Sequence, residues 1–183
     1  MSHVGRLRLS DRIPSAAAQD GGRNANRFFV TVNLRRAVPP LSDPEYAQVV
    51  AAIEQSRRKL HLLFLGYVLM PDHWHALIWP TFPLTLSRVV QDVKWISARS
   101  LNQRRDSSGP VWQHQFWDRF VRHAQEFCGR LDYMHLNPVR KGLVRRPEDW
   151  PWSSCNNFGL DNEKIKHCPM QIDYVHLPES YRG

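Results

Sequence analysis

Residues 70–80 read "MPDHWHALIWP", and within this run His73 and His75 stand one residue apart in apolar surroundings. On a β-strand, residues two apart share a face and lie about 6.5–7 Å apart along the chain. The two imidazoles would therefore look one way and Trp74 the other, as two donors for a single ion or as two packed rings. A working metal site needs a further protein ligand and open positions for substrate oxygens. The run "LDYMHLNPVRKGLV", 131–144, offers one. On a helix Tyr133 and Asn137 are four apart and share a face, so a helix laid over the histidines could present a nucleophilic phenol and an amide oxygen together. Two imidazoles and one amide oxygen suit Mn²⁺ and tolerate Mg²⁺. Taken singly, each has a plainer reading: Tyr133 as an ordinary helix tyrosine with a bonded hydroxyl, Asn137 as a helix cap ahead of proline.

The elements that must bring these groups together can be read from periodicity. "RFFVTVNLRR", 27–36, is dense in aromatic and β-branched residues and predicts a strand. After the break "VPPLSDP", Tyr46, Val49, Val50 and Ile53 repeat with helical spacing from Pro44 onward. "LHLLFLGYVLM", 60–70, and "HWHALIW", 73–79, predict two antiparallel strands joined at Pro71-Asp72. Residues 84–105 place Leu86, Val89, Val90, Val93 and Ile96 on one helical face, with Lys94, Arg99, Arg104 and Arg105 toward solvent. "VWQHQFWDRFV", 111–121, predicts a fourth strand, and the helical pattern that follows should end or kink at Pro138. The order βαββαβα predicts an α+β, ferredoxin-like (RRM-like) antiparallel sheet with an added helix that carries the tyrosine. The last forty residues, with "PEDWPWSSC", predict an extended, docked tail.

Composition narrows the partner. The chain has 183 residues, 42% of them hydrophobic, enough for one core. Its 25 lysines and arginines against 17 acidic residues give a net charge of +8, which favours polyanions such as nucleic acid. Cys128, Cys155 and Cys168 form no CxxC pair, so no disulfide framework or zinc knuckle is expected. No apolar run reaches the roughly 20 residues of a spanning helix, and no signal-peptide core is visible, which predicts a cytoplasmic protein without membrane contact. Residues 1–25 predict a flexible basic leader, with Arg6, Arg8, Arg12 and Arg23 available as a groove-binding arm. The cations expected to meet phosphates fall in three groups. They are Arg35 and Arg36 after the first strand, Lys94 and Arg99 on the second helix, and Arg140, Lys141, Arg145 and Arg146 beyond the tyrosine. Trp150 and Trp152 are candidates for stacking on unpaired bases, whereas Trp112 is expected in the core.

Taken jointly, these motifs resemble a known family. "MPDHWHALIWP" is similar to the HUH motif of single-tyrosine transposases, and "YMHLNPVRKGLV" resembles the tyrosine motif of their REP-associated branch. "VKWISARSLNQRR", "GPVWQHQFWDRFVR" and "PEDWPWSS" also resemble segments of that branch, so the likeness spans about residues 27–155. It implies a transposase domain over 26–142, followed by a C-terminal extension, 143–183, packed on it. It implies that His73, His75 and Asn137 hold Mg²⁺ or Mn²⁺ and that Tyr133 is the nucleophile. The activity implied is cutting and rejoining of single-stranded DNA beside a hairpin-forming chromosomal repeat, by a monomer, with a homodimer as the alternative. Two rivals remain: a catalytically silent DNA- or RNA-binding module of the same fold, and a hydrolase in which the ion activates water.

Overall fold

The computed structural model describes residues 27–159 and 162–174; the expected leader, 1–25, lies outside them. The elements run β1 (Arg27–Asn33), α1 (Asp43–Leu60), β2 (Leu63–Leu69), β3 (His73–Trp79), α2 (Leu86–Arg104), β4 (Trp117–Val121), α3 (Ala124–Arg140) and α4 (Asn162–Lys166). The sheet has the order β2-β3-β1-β4, and every neighbouring pair is antiparallel. β1 and β2 are thus parallel but separated by β3, as β3 and β4 are by β1. This is the interleaved βαβ pair of a ferredoxin-like sandwich.

Alternation along the strands divides the sheet into two faces. Trp74, Ala76 and Ile78 of β3 and Val30 and Val32 of β1, all buried, point toward the layer in which α1 packs on α2. The opposite face carries Phe29, Thr31 and Asn33 of β1 with His73, His75 and Leu77 of β3, in the register Thr31↔His75 and Asn33↔His73. α3 covers part of this second face. It settles on Gly66, where an added Cβ would come within 2.6 Å of Leu131 Cδ2 and 3.3 Å of Met134 Cε. The absence of a side chain at Gly66 therefore sets how closely the tyrosine helix approaches β2.

Two cations expected to face solvent, Arg105 and Lys94, are bonded within the fold instead. Arg105, at the end of α2, pairs with both carboxylate oxygens of the buried Glu45 in the first turn of α1. That guanidinium, offset in part by burial and reinforced by Ser42, holds the Glu45 carboxyl down at about 2. The fourth strand is shorter than its sequence suggests. An isolated bridge joins Trp112 to Leu34, and the ladder resumes only at Trp117. Between them the carbonyls of Gln113 and His114 are taken by the Lys94 amine rather than by a strand. Pro138 does not stop α3 at once. The helix runs two residues further, to Arg140, and Gly142 at φ 70 follows.

The segment after α3 packs on the domain. Val68 bridges to Ser153 and Leu69 N–H donates to the Trp152 carbonyl, closing the outer edge of β2. Trp150 and Trp152 both pack on Tyr46, and their indole N–H groups donate to the Leu69 carbonyl and to Asp43. They are structural here rather than free to stack on bases. Trp112 is buried and donates to Ser97 Oγ.

Candidate active site

The two histidines share a face, as strand geometry requires, and each ring is held by a neighbour. His73 Nδ1 lies 2.6 Å from Asp72 Oδ1, and His75 Nδ1 lies 2.8 Å from Thr31 Oγ1. With the proton on Nδ1 in both rings, each donates to its oxygen partner and turns Nε2 outward as an acceptor. The two Nε2 atoms are 3.1 Å apart. Two lone pairs at that distance repel unless a proton or a cation lies beside them. Adjacent ligands of an octahedral ion, each about 2.1 Å from it, are about 3.0 Å apart, so the separation fits two positions on one ion. Burial, then the neighbouring His73, pushes the His75 imidazole down to about 3, which keeps it neutral and able to ligate.

The other half comes from α3. Asn137 is buried, with Nδ2 3.5 Å from His73 Nε2, and a half-turn of the amide presents Oδ1 at the same point. Among the described residues no three histidine, cysteine, aspartate or glutamate side chains form a metal cluster, so an ion at the pair needs a donor of another type. The Asn137 amide is such a donor. Tyr133, one turn earlier, sets its ring edge-on against His75 at 5.4 Å and against Phe29 at 6.0 Å. It remains 38% exposed, so the phenol is reachable from solvent. The Arg140 guanidinium lies 5.6 Å from the centre of the same ring, and Arg130 lies 5.1 Å from that of Phe29.

The expected DNA-binding cations separate. Arg140 adjoins the site, and Lys141 and Arg145 are exposed just beyond it, whereas Arg146 pairs with Asp149. Arg35, Arg36 and Lys94 line a groove of about 1280 Å³ against α2, on the other layer of the molecule, with Trp95 at its side. Lys94 is committed to backbone carbonyls there, and burial lowers its pKa. Arg99 is exposed and leans over Trp95. Two contributors to the site lie beyond what spacing reveals. Asp72 stands in the quoted motif, but only the fold shows it gripping His73. Thr31 meets His75 solely through the β1–β3 register, which no local pattern encodes.

The family model described as "Transposase IS200 like" matches residues 26–125, a span that includes both histidines and stops short of Tyr133. The REP-associated tyrosine transposase of Escherichia coli (strain K12) is 29% identical over 129 residues, covering 69% of this chain and 74% of its own length. A putative REP-associated tyrosine transposase of Haemophilus influenzae is 36% identical over 53 residues, 29% of this chain and 30% of that protein. A solved structure of a REP-associated tyrosine transposase bound to a REP hairpin superposes with a TM-score of 0.64 at 24% identity, over 74% of this chain and 82% of that one. The two share the fold.

Proposed function

The chain belongs to the IS200-like transposase family, and from that premise we propose that it is a metal-dependent single-strand DNA endonuclease and strand transferase acting at hairpin-forming repeats. The observation that carries this reading is the meeting of His73 Nε2, His75 Nε2, Asn137 and the Tyr133 ring on one face of the sheet. The Tyr133 oxygen attacks a DNA phosphorus and the bond to the 3′ oxygen breaks, leaving a 5′-phosphotyrosine and a free 3′-hydroxyl. The proton lost by the phenol balances the one gained by the 3′ oxygen. Because one phosphodiester replaces another, a 3′-hydroxyl can reverse the step and join strands without a nucleotide cofactor.

His73, His75 and Asn137 would hold Mg²⁺ or Mn²⁺, whose bound form supplies Lewis-acid polarisation of the phosphate oxygens. Asp72 and Thr31 keep both imidazoles turned toward that position. Arg140 and Arg130, beside the reacting ring and beside Phe29, offer positive charge to the approaching phosphate. The substrate is single-stranded because the attacked phosphate must bend into a site floored by a sheet. A neighbouring stem supplies recognition, as the hairpin-bound relative suggests. α3 lies against its own chain's β2 and β3, so one chain carries both halves of the site, which supports a monomer as the working unit. On this reading the protein works on chromosomal DNA in the bacterial cytoplasm; among the described residues no helix is long and apolar enough to cross a membrane.

The test incubates the protein with labelled hairpin-flanked single strands and Mn²⁺ or Mg²⁺, then resolves the products on a denaturing gel. A protein–DNA adduct that disappears in Tyr133→Phe and with EDTA is expected. Tight binding with no adduct in either metal would instead identify a silent binding module. Free 5′-phosphates without attached protein would identify a hydrolase.

A further inference from the structure

The two edges of the sheet are treated differently. The β2 edge is closed by residues 152–154, while β4 forms the other edge and is exposed at every position but Val121. Open edge strands tend to carry charge or proline that blocks unwanted pairing, and beside the exposed Asp118 and Arg119 this one also presents an indole: Trp117 is 77% exposed. Its position is specific. Trp117 pairs with Thr31, and Thr31 pairs with His75 and is bonded to it. Directly opposed residues share a face, so the indole stands on the catalytic face, two strand spacings from His75, roughly 10 Å.

Arg119, two residues on, points the same way and opens a cavity of about 610 Å³ that Arg122 and Arg130 also line. Its one carboxylate, Glu126, is held by Arg119 and by the Arg122 backbone N–H. Arg130 lies over Phe29, whose ring contacts both His75 and Tyr133. The basic cavity thus lies at the corner between β4 and α3, with Arg130 reaching from it to Phe29 and Arg119 standing two residues from the exposed Trp117. An aromatic platform with flanking guanidiniums is what holds unpaired nucleotides without needing a duplex.

We propose that Trp117 stacks on an unpaired base flanking the phosphodiester that Tyr133 attacks, with Arg119, Arg122 and Arg130 taking the adjoining phosphate. The proposal rests on the strand-transfer reading for its choice of DNA, but its test requires no cleavage. In a Tyr133→Phe background, equilibrium binding of a hairpin with a single-stranded flank is measured by fluorescence anisotropy, with an abasic site moved through the flank. Trp117→Ala should weaken binding about tenfold and Trp117→Phe less. At one flank position, the abasic site should cost the Trp117 protein the same factor and cost the Trp117→Ala protein nothing more. Equal losses for both proteins at every position, or unchanged binding by Trp117→Ala, would overturn the proposal. The unsubstituted protein supplies a second measurement that does not depend on how the variants fold. Irradiation with 5-iododeoxyuridine at the coupled position should cross-link to Trp117, and a cross-link mapping outside β4 would contradict the assignment. Failure of the adduct assay with this coupling intact would remove the chemistry and leave the base site.

Discussion

The site has a strand-borne half and a helix-borne half, and they are held in different ways. On β3, His73 and His75 are each hydrogen-bonded through Nδ1, and His75 is buried between Thr31 and Phe29. On α3, Asn137 is buried but Tyr133 is partly exposed, and its neighbours are ring faces and a guanidinium. The division fits the proposed chemistry. Ligands that orient a phosphate gain from rigidity, whereas a nucleophile that becomes covalently attached to DNA, and is later released, gains from the freedom of a partly exposed side chain.

Substitution of each half should separate these roles. The largest effect is expected for Tyr133→Phe, which should abolish adduct formation while metal and DNA affinities, measured calorimetrically, stay within about twofold, since the ring packing is retained. His75→Ala should also abolish the adduct, but through loss of metal binding. A Tyr133→Phe protein that no longer binds metal would break the division into halves. Next come the residues that aim the imidazoles. Thr31→Val and Asp72→Asn should weaken Mn²⁺ binding by about 10- to 100-fold, read by calorimetry without substrate, and unchanged affinity would mean that the rings are held by packing alone.

Gly66→Ala addresses how the halves are joined. Its Cβ would meet the end of the Leu131 side chain, so that side chain, or α3 with it, must give way, at a cost of about 1–3 kcal/mol in urea unfolding. Adduct formation should fall more than Mn²⁺ affinity does. A change of pH probes both halves at once. His75 and His135, one in each half, are both pushed down to about 3 by burial, from the usual 6.5. The unfolded chain therefore binds these protons more readily. Stability in EDTA should be full above pH 6.5 and decline as the pH falls toward 3, by at most about 1.4 kcal/mol per pH unit for each group. Urea midpoints at successive pH values would show this, and a midpoint independent of pH between 6.5 and 4 would contradict neutral burial.

What the sequence revealed of this arrangement follows the range of each interaction. Strand alternation is local, so the shared face of His73 and His75 could be read from "HWH", and the shared face of Tyr133 and Asn137 from their spacing of four. Element order was legible because apolar periodicity changes sharply at the Pro71-Asp72 turn and around "DSSGP". Side chains whose role depends on distant backbone were not. Arg105 looks like a solvated helix end until α1 brings Glu45 to it. Lys94 looks like a phosphate ligand until the carbonyls of Gln113 and His114 arrive beneath it. Trp150 and Trp152 look available until the tail folds onto Tyr46. Trp117 is the reverse case. Its run reads as an ordinary strand, and only its register opposite Thr31 sets the indole on the face that carries the histidines.

The most direct test of the convergence of the two halves is peptide mapping by mass spectrometry after reaction with a hairpin-flanked single strand. A 5′-phosphonucleotide on the peptide that contains Tyr133, present with Mn²⁺ or Mg²⁺ and absent from His75→Ala, is the predicted result. The same modification on Tyr46, Tyr67 or Tyr174, or at undiminished yield on Tyr133 in His75→Ala, would contradict it.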